Sequence, residues 1–174
     1  MFKKLFPIIC IQILFISIGS IVAYYSVSSV TFADFSSSIS VLQNISAAVF
    51  TLTGIWIAYL YPEAISAFTN PEKLTILKGS ENAKRIERLV LIIFTSAFVL
   101  IGILILTLSF PILLKLPSLI NKTDLLNQIY IAATIYLSLN QLRAISGIMT
   151  NNLDFVYRLT FLKTNQDVFD DLNK

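Results

Sequence analysis

The stretch LVLIIFTSAFVLIGILILTLSF, residues 89–110, determines the fold class. It has 22 residues and carries no charge. A helix needs about 20 apolar residues to cross a bilayer core about 30 Å thick. This run is therefore typical of a transmembrane helix.

Three other stretches are long enough to cross a bilayer. About residues 5–25 and 41–61 are uncharged, whereas about residues 125–149 contain Gln128, Asn140, Gln141 and Arg143. The sequence predicts an all-α membrane protein with four transmembrane helices. We expect residues 1–150 to form a four-helix transmembrane domain and residues 151–174 to form a cytoplasmic tail.

The composition is that of a membrane protein as well. Hydrophobic residues make up 56% of the 174 residues and charged residues 13%, whereas a soluble domain is about a quarter charged. The mean hydropathy is +0.78. The chain has no histidine and one cysteine, which excludes imidazole chemistry, a Cys/His zinc site and an internal disulfide.

The loops predict the orientation, because basic residues concentrate in cytoplasmic loops. Arg143 apart, ten basic residues fall on one side of the four spans: Lys3, Lys4, Lys73, Lys78, Lys84, Arg85, Arg88, Arg158, Lys163 and Lys174. The other side has two, Lys115 and Lys122. Both termini and the second loop are therefore predicted to be cytoplasmic.

The second loop contains a predicted helix that leads into the third span. The text ENAKRIERLVLIIF has no helix breaker after Ser80, a plausible N-cap. A helix from Ser80 to Phe110 is about 45 Å long and would extend about 15 Å into the cytoplasm. Its basic residues Lys84, Arg85 and Arg88 form either a collar facing lipid headgroups or a docking surface for an acidic partner.

The connectors on the outer side are expected to be irregular. Residues 26–40, SVSSVTFADFSSSIS, are serine-rich and predict a short flexible or interfacial loop, with a sensing surface as the alternative. Pro111 and Pro117 are expected to close the third helix.

The C-terminal tail combines apolar and acidic residues. Phe155, Leu159 and Leu162 recur at helical spacing, and the end is acidic. The tail is expected to continue the fourth helix, lie on the membrane or bind a partner helix. We take these three apolar residues as candidate partner contacts.

The fourth span carries a polar stripe. Gln128, Tyr136, Asn140, Arg143 and Gly147 share one helical face, which Ala132 continues. Polar groups at membrane depth face the protein interior or a water-filled cavity. The stripe therefore predicts either hydrogen bonding between helices, including an oligomer interface, or the lining of a pore. Gly19 and Ala23 form a small-xxx-small pair that permits close helix contact in the first span.

The sequence lacks the residue groups that catalysis requires. No base accompanies a nucleophile, no carboxylate pair lies within the spans, and there is no Gly-rich phosphate loop or metal-ligand cluster. We therefore expect no enzymatic activity, no metal and no cofactor. A glutamate inside the membrane, on which small four-helix proton-coupled exporters depend, is also missing.

Three functions fit these features. The first is a membrane protein that self-assembles and recruits or regulates a soluble cytoplasmic effector. The second is a small oligomeric ion channel or membrane-permeabilising protein, and the third is a membrane immunity protein against a pore-forming toxin. The polar residues crowd toward the cytoplasmic half of the fourth span, which favours recruitment over a pore.

In outline the chain resembles the membrane subunit of the bacterial Kiwa antiphage defence system. The likeness lies in its length, four spans, cytoplasmic termini and Ile- and Asn-rich composition, and GIWIAYLYPEAI (residues 54–65) is the most family-like stretch. The resemblance implies a tetramer in the bacterial inner membrane that senses phage attack. It also implies a soluble, nucleic-acid-binding effector held on the cytoplasmic face, with no nucleic acid bound by this chain itself. No residue-level role carries over.

Overall fold

The computed structural model is all-helical over its described part, which comprises residues 2–27, 29–30, 32–60, 81–116 and 122–172, with the side chains of most of them. It contains four helices: α1 (Phe2–Ser26), α2 (Phe32–Leu60), α3 (Glu81–Leu114) and α4 (Thr123–Leu172). The predicted all-α architecture is confirmed.

Three of these helices contain segments long and apolar enough to cross a membrane. The segments are Phe6–Ser26 in α1, Asp34–Tyr59 in α2 and Lys84–Leu114 in α3. The molecule is therefore consistent with a membrane protein. A membrane crossing by the more polar α4 stays a prediction.

α4 occupies the centre of the molecule. It packs against α1, α2 and α3, and α2 and α3 also pack against each other. This arrangement follows from composition, because a polar helix in a membrane gains most from being surrounded by protein. The exposed side chains of α3, such as Phe94, Ile101 and Leu104, are large and apolar.

Two apolar clusters join α2, α3 and α4. The first contains Ile39, Leu42, Val99, Ile103 and Leu137, and the second contains Val49, Leu89, Ile92 and Ala144. Each cluster draws residues from all three helices. The clusters therefore hold these helices together as one unit, against which α1 packs through α4.

α1 approaches α4 most closely at Gly19. A Cβ atom at this position would lie 2.8 Å from the Ala132 carbonyl oxygen, closer than real Cβ atoms come to a neighbour. Ala23, one turn further along α1, is fully buried. The small-xxx-small pair thus lies where the backbones of α1 and α4 meet.

The serine-rich segment before α2 differs from expectation. The predicted loop over residues 26–40 is wrong for most of its length, because α2 begins at Phe32. Serine and threonine hydroxyls in α2 donate to carbonyl oxygens four residues earlier, as Ser40 does to Ser36 (3.2 Å) and Ser46 to Leu42 (2.8 Å). The helix itself satisfies these hydroxyls, so serine is tolerated in an apolar environment.

The ends of α3 also differ in part from expectation. Pro111 lies inside α3, which continues to Leu114, so the prediction that Pro111 closes the helix is wrong. A proline past the first turn removes one backbone hydrogen bond and crowds the carbonyl four residues earlier, so α3 carries this cost at Pro111 and ends three residues later. Pro117 and the predicted N-cap Ser80 lie outside the described residues, as does the stretch 61–80.

α4 is one continuous helix of 50 residues. Its length is about 75 Å at 1.5 Å per residue. The tail therefore continues the fourth helix, which is one of the three alternatives predicted from the sequence. The helix passes the predicted domain boundary at residue 150 without a break, and the division of the chain there stays a prediction.

Candidate functional site: a polar cluster, a basic end and a helical extension

Three polar side chains form a hydrogen-bonded cluster between α1 and α4. The Tyr136 hydroxyl donates to Gln12 Oε1 (2.7 Å), and Gln12 Nε2 donates to Asn140 Oδ1 (3.0 Å). Asn140 Nδ2 in turn donates to the Tyr136 carbonyl oxygen (2.9 Å). The three groups therefore satisfy one another at a depth where an unpaired amide is costly.

The residues of the predicted polar stripe on α4 thus lie in two different environments. Tyr136 and Asn140 are brought together with Gln12 of the same chain, whereas Gln128 is half-buried and Arg143 is exposed. In the single chain, the middle of the stripe attaches α1 to α4. A role for these four residues between copies or along a pore stays a prediction.

Gln12 was not among the site residues predicted from the sequence, although the sequence contains a signal for it. It is the sole amide in residues 5–25. An isolated amide in an otherwise apolar span calls for a hydrogen-bond partner on a neighbouring helix.

The end of the bundle at which α1 and α3 begin is called the basic end, because Lys84, Arg85 and Arg88 lie there. Lys84 and Arg88 are exposed, but Arg85 is buried, and its Nη2 has no hydrogen-bond partner among the described residues. The three basic residues therefore do not share one accessible surface. Arg85 faces inward, which leaves Lys84 and Arg88 as candidates for partner contact.

One ion pair joins α3 and α4 at the basic end. Arg88 Nη1 lies 3.9 Å from Asp154 Oδ2, and both side chains are about half exposed, at 54% and 49%. An exposed pair of this kind contributes at most about 1 kcal/mol. Its value lies in orienting the two helices rather than in stability.

α4 continues well beyond α1 at the basic end. The two helices are antiparallel, since Gly19 meets Ala132 and Gln12 meets Asn140. α1 begins ten residues before Gln12. Because Gln12 lies opposite Asn140, the start of α1 lies opposite Thr150, ten residues after Asn140. A further 22 residues, the α4 extension (residues 151–172), therefore reach about 33 Å past the start of α1.

The α4 extension exposes a row of apolar side chains. Leu153, Val156, Tyr157 and Phe161 are exposed by 68%, 58%, 74% and 57%. Their i, i+3, i+4, i+8 spacing places them on one helical face. We call these four residues the apolar row.

The candidate partner contacts predicted from the sequence are different residues: Phe155, Leu159 and Leu162. These positions lie on α4, but their side chains are outside the described residues. By helical spacing they lie on the other side of the helix from the apolar row. The apolar row and the predicted residues both recur at the spacing of an amphipathic helix. Periodicity alone therefore does not show which of the two faces is exposed.

α2 presents a polar face away from the bundle. Beside exposed apolar residues such as Val41, Leu52 and Ile55, α2 also exposes small and polar residues at helical spacing. Together these are called the α2 outer face: Ser37, Ser40, Asn44, Ala47, Ala48 and Thr51. The buried face of α2 carries Ile39, Leu42 and Val49 instead. α2 therefore exposes one strip that is less apolar than a helix facing lipid on all sides would need.

The described residues offer several candidate binding surfaces. Among them, no group of three His, Cys, Asp or Glu side chains is placed to hold a metal ion. No protein-family model matches the chain, and neither a curated protein sequence nor a solved structure is significantly similar to it. Function must therefore be inferred from the chain's own geometry.

Proposed function

We propose that this chain is a non-enzymatic protein of the bacterial inner membrane that self-assembles and recruits or regulates a soluble cytoplasmic effector. In this proposal it serves antiphage defence as a membrane sensor and scaffold. The observation that carries the proposal is the α4 extension with its exposed apolar row.

The apolar row supports recruitment because it has the form of a docking helix. Exposed apolar patches on helices outside a membrane mark interaction sites. The i, i+3, i+4 spacing of the row is the pattern by which amphipathic helices enter apolar grooves on partner proteins. Leu153 to Phe161 extends over about 12 Å, enough to fill such a groove with two helical turns.

The surrounding charges define the partner further. Lys84, Arg88 and Lys163 are exposed at the basic end or along the α4 extension. A partner groove with an acidic rim would complement them, and charges at a rim increase the rate of association. The excess of basic residues is also what favours a cytoplasmic position for this end, by the positive-inside rule.

The defence role rests on the resemblance to the Kiwa membrane subunit alone. It adds three proposals: the assembly is a homotetramer, the effector binds nucleic acid, and the stimulus is phage attack at the membrane. The lipid bilayer is the chain's other partner.

The test is affinity purification of the tagged chain in mild detergent from its native host, with the mass of the intact complex. We expect a homo-oligomer that carries a stoichiometric soluble protein. The double variant Val156→Glu, Phe161→Glu should copurify with at least about tenfold less of that protein. Such a loss corresponds to about 1.4 kcal/mol of binding free energy. Thr164→Glu, one turn beyond the row, should retain it at equal membrane abundance.

A small oligomeric ion channel is the second candidate, and the α2 outer face favours it. Polar faces of several copies that converge on one axis would line a water-filled path. A pure homo-oligomer without a companion protein, together with ion flux in liposomes, would support the channel against recruitment. The third possibility from the sequence, an immunity protein, has no specific feature in its favour.

A further inference from the structure

The exposed surfaces of the three apolar helices differ in kind. α1 exposes Ile13, Leu14 and Ile16, and α3 exposes Phe98, Leu104 and Ile105, as expected for helices that face lipid tails. The α2 outer face exposes serine, asparagine, alanine and threonine over the same span of the membrane. Contact with lipid accounts for the apolar residues that α2 also exposes, such as Val41, Leu52 and Ile55. It does not account for the small and polar α2 outer face.

Gly54 extends this face, and no contact within the described part of the chain explains it. A Cβ atom at Gly54 would meet nothing within 4 Å, whereas one at Gly19 or Gly102 would lie within 3 Å of a neighbouring helix. Those two glycines are explained by close contacts within the molecule. Gly54 instead leaves room on the outside of α2.

Two amides lie within this part of α2. Gln43 and Asn44 are exposed near the middle of the Asp34–Tyr59 segment, and neither side chain forms a hydrogen bond with another described residue. Amides at membrane depth seek partners on other helices. An amide carries both donor and acceptor atoms, so the same amide on a second copy is a complementary partner.

A groove on the same side of the molecule is also incomplete. It lies between α2 and α4, has a volume of about 480 Å³, and is lined by residues that include Ser37, Ile45, Ser138 and Gln141. Gln141 is 99% buried, and its Oε1 has no hydrogen-bond partner among the described residues. The groove shares Ser37 with the α2 outer face and therefore lies beside it.

We propose that the α2 outer face packs against the same face of a second copy of this chain, with the Asn44 amides bonded across the interface. A face that pairs with itself meets the requirement of a two-fold interface, in which one patch serves both subunits. Small residues at Ala47, Ala48 and Gly54 let the two α2 helices approach closely. The inference rests on the self-assembly in the proposed function and names one surface that performs it. A two-fold interface closes at two copies, so the proposed tetramer needs a second interface beside this one.

Disulfide cross-linking in native membranes tests the surface directly. The background is Cys10→Ala, because Cys10 is exposed on α1. Single cysteines at Ser40, Asn44 and Ala47 should give cross-linked dimers on oxidation. Matched cysteines at Ile13 and Phe98, on the apolar surfaces of α1 and α3, should not.

A second measurement does not depend on cysteine chemistry. Ala47→Leu adds bulk to the interface, whereas Ser20→Leu adds the same bulk to an exposed position on α1. Single-molecule photobleaching in membranes should show self-association weakened at least about tenfold by Ala47→Leu, or about 1.4 kcal/mol, and unchanged by Ser20→Leu.

The outcomes separate this inference from the proposed function. Cross-links at Phe98 or Ile13 in place of α2 would overturn the interface but leave self-assembly standing. Cross-linking of Asn44→Cys to a different protein in place of a second copy would likewise overturn the interface alone. A monomer in both measurements would overturn both the interface and the self-assembly of the proposed function. Cross-links at α2 in an oligomer without a soluble companion would confirm the interface and overturn recruitment.

Discussion

Gly19 sets the distance between α1 and the rest of the molecule. A methyl group there would press on the Ala132 carbonyl oxygen, which belongs to the α4 backbone and cannot move without shifting the helix. Gly19→Ala should therefore lower stability by about 1–3 kcal/mol, the usual cost of overpacking. Ser20→Ala, on the exposed side of α1, is the control. Thermal unfolding in detergent measures both, and equal midpoints would contradict the close contact.

Gln12 and Tyr136 should be energetically coupled. The Tyr136 hydroxyl donates to Gln12 Oε1 at 2.7 Å, so Gln12→Leu and Tyr136→Phe each remove the same hydrogen bond. In a double-mutant cycle the coupling should be about 0.6 kcal/mol and at most about 1.7 kcal/mol, the range for hydrogen bonds between membrane helices. Unfolding in mixed detergent gives the four free energies. Strict additivity would mean that the bond contributes nothing.

Individual residues mark the limit of prediction from sequence. Tyr136 and Asn140 were identifiable because a polar stripe repeats along one helix. Their partner Gln12 lies more than 120 residues away in the chain, and its choice depends on how two helices are rotated against each other. Lys84 and Arg85 show the same limit, since adjacent helical residues point about 100° apart and only packing decides which is buried.

Among the elements, the apolar helices were predictable and their ends were not. Residues 89–110 fall within α3, because hydropathy over 20 residues is a strong signal. The serine-rich start of α2 was mistaken for a loop because side-chain hydroxyls compete with backbone hydrogen bonds in water. Inside α2 the same hydroxyls bond back to the helix, as Ser46 does to Leu42.

α4 is expected to behave as one rigid rod across residue 150. Spin labels at Ser146→Cys and Lys163→Cys, both exposed, lie 17 residues apart, or about 26 Å along a continuous helix. Double electron–electron resonance on a Cys10→Ala background should give one narrow distance near that value. Dilution with unlabelled chain removes distances between copies. A broad or much shorter distribution would place a break between the bundle and the α4 extension.

At the scale of the whole molecule, the helix least suited to lipid is the one the others surround. α4 holds Asn140 and Gln141, both buried, and its contacts with α1 and α3 supply partners for them. α1, α2 and α3 have apolar segments of their own. α1, α2 and α3 are therefore apolar enough to cross a membrane by themselves, whereas α4 requires the other helices to shield its polar residues.

This dependence predicts how the chain enters a membrane. Residues 123–149 of α4, placed alone in a host protein, should insert poorly, because they contain Gln128, Asn140, Gln141 and Arg143. Each leucine or isoleucine returns only about 0.3–0.6 kcal/mol to offset them. Residues 89–110 of α3 should insert almost completely under the same conditions. Glycosylation mapping in microsomes measures both fractions.

In the full chain, α1 and α3 are present to pair with α4, so α4 should cross and bring both termini to the same side. Reporter fusions at Met1 and Lys174 should then both report a cytoplasmic position, and a fusion after Lys122 should report the opposite side. Gln12→Leu removes one of the partners that α4 needs and should reduce the fraction of chains with a cytoplasmic C-terminus. If α4 inserted alone as well as α3 does, its polar residues would not depend on the bundle, and their burial would have to serve function instead.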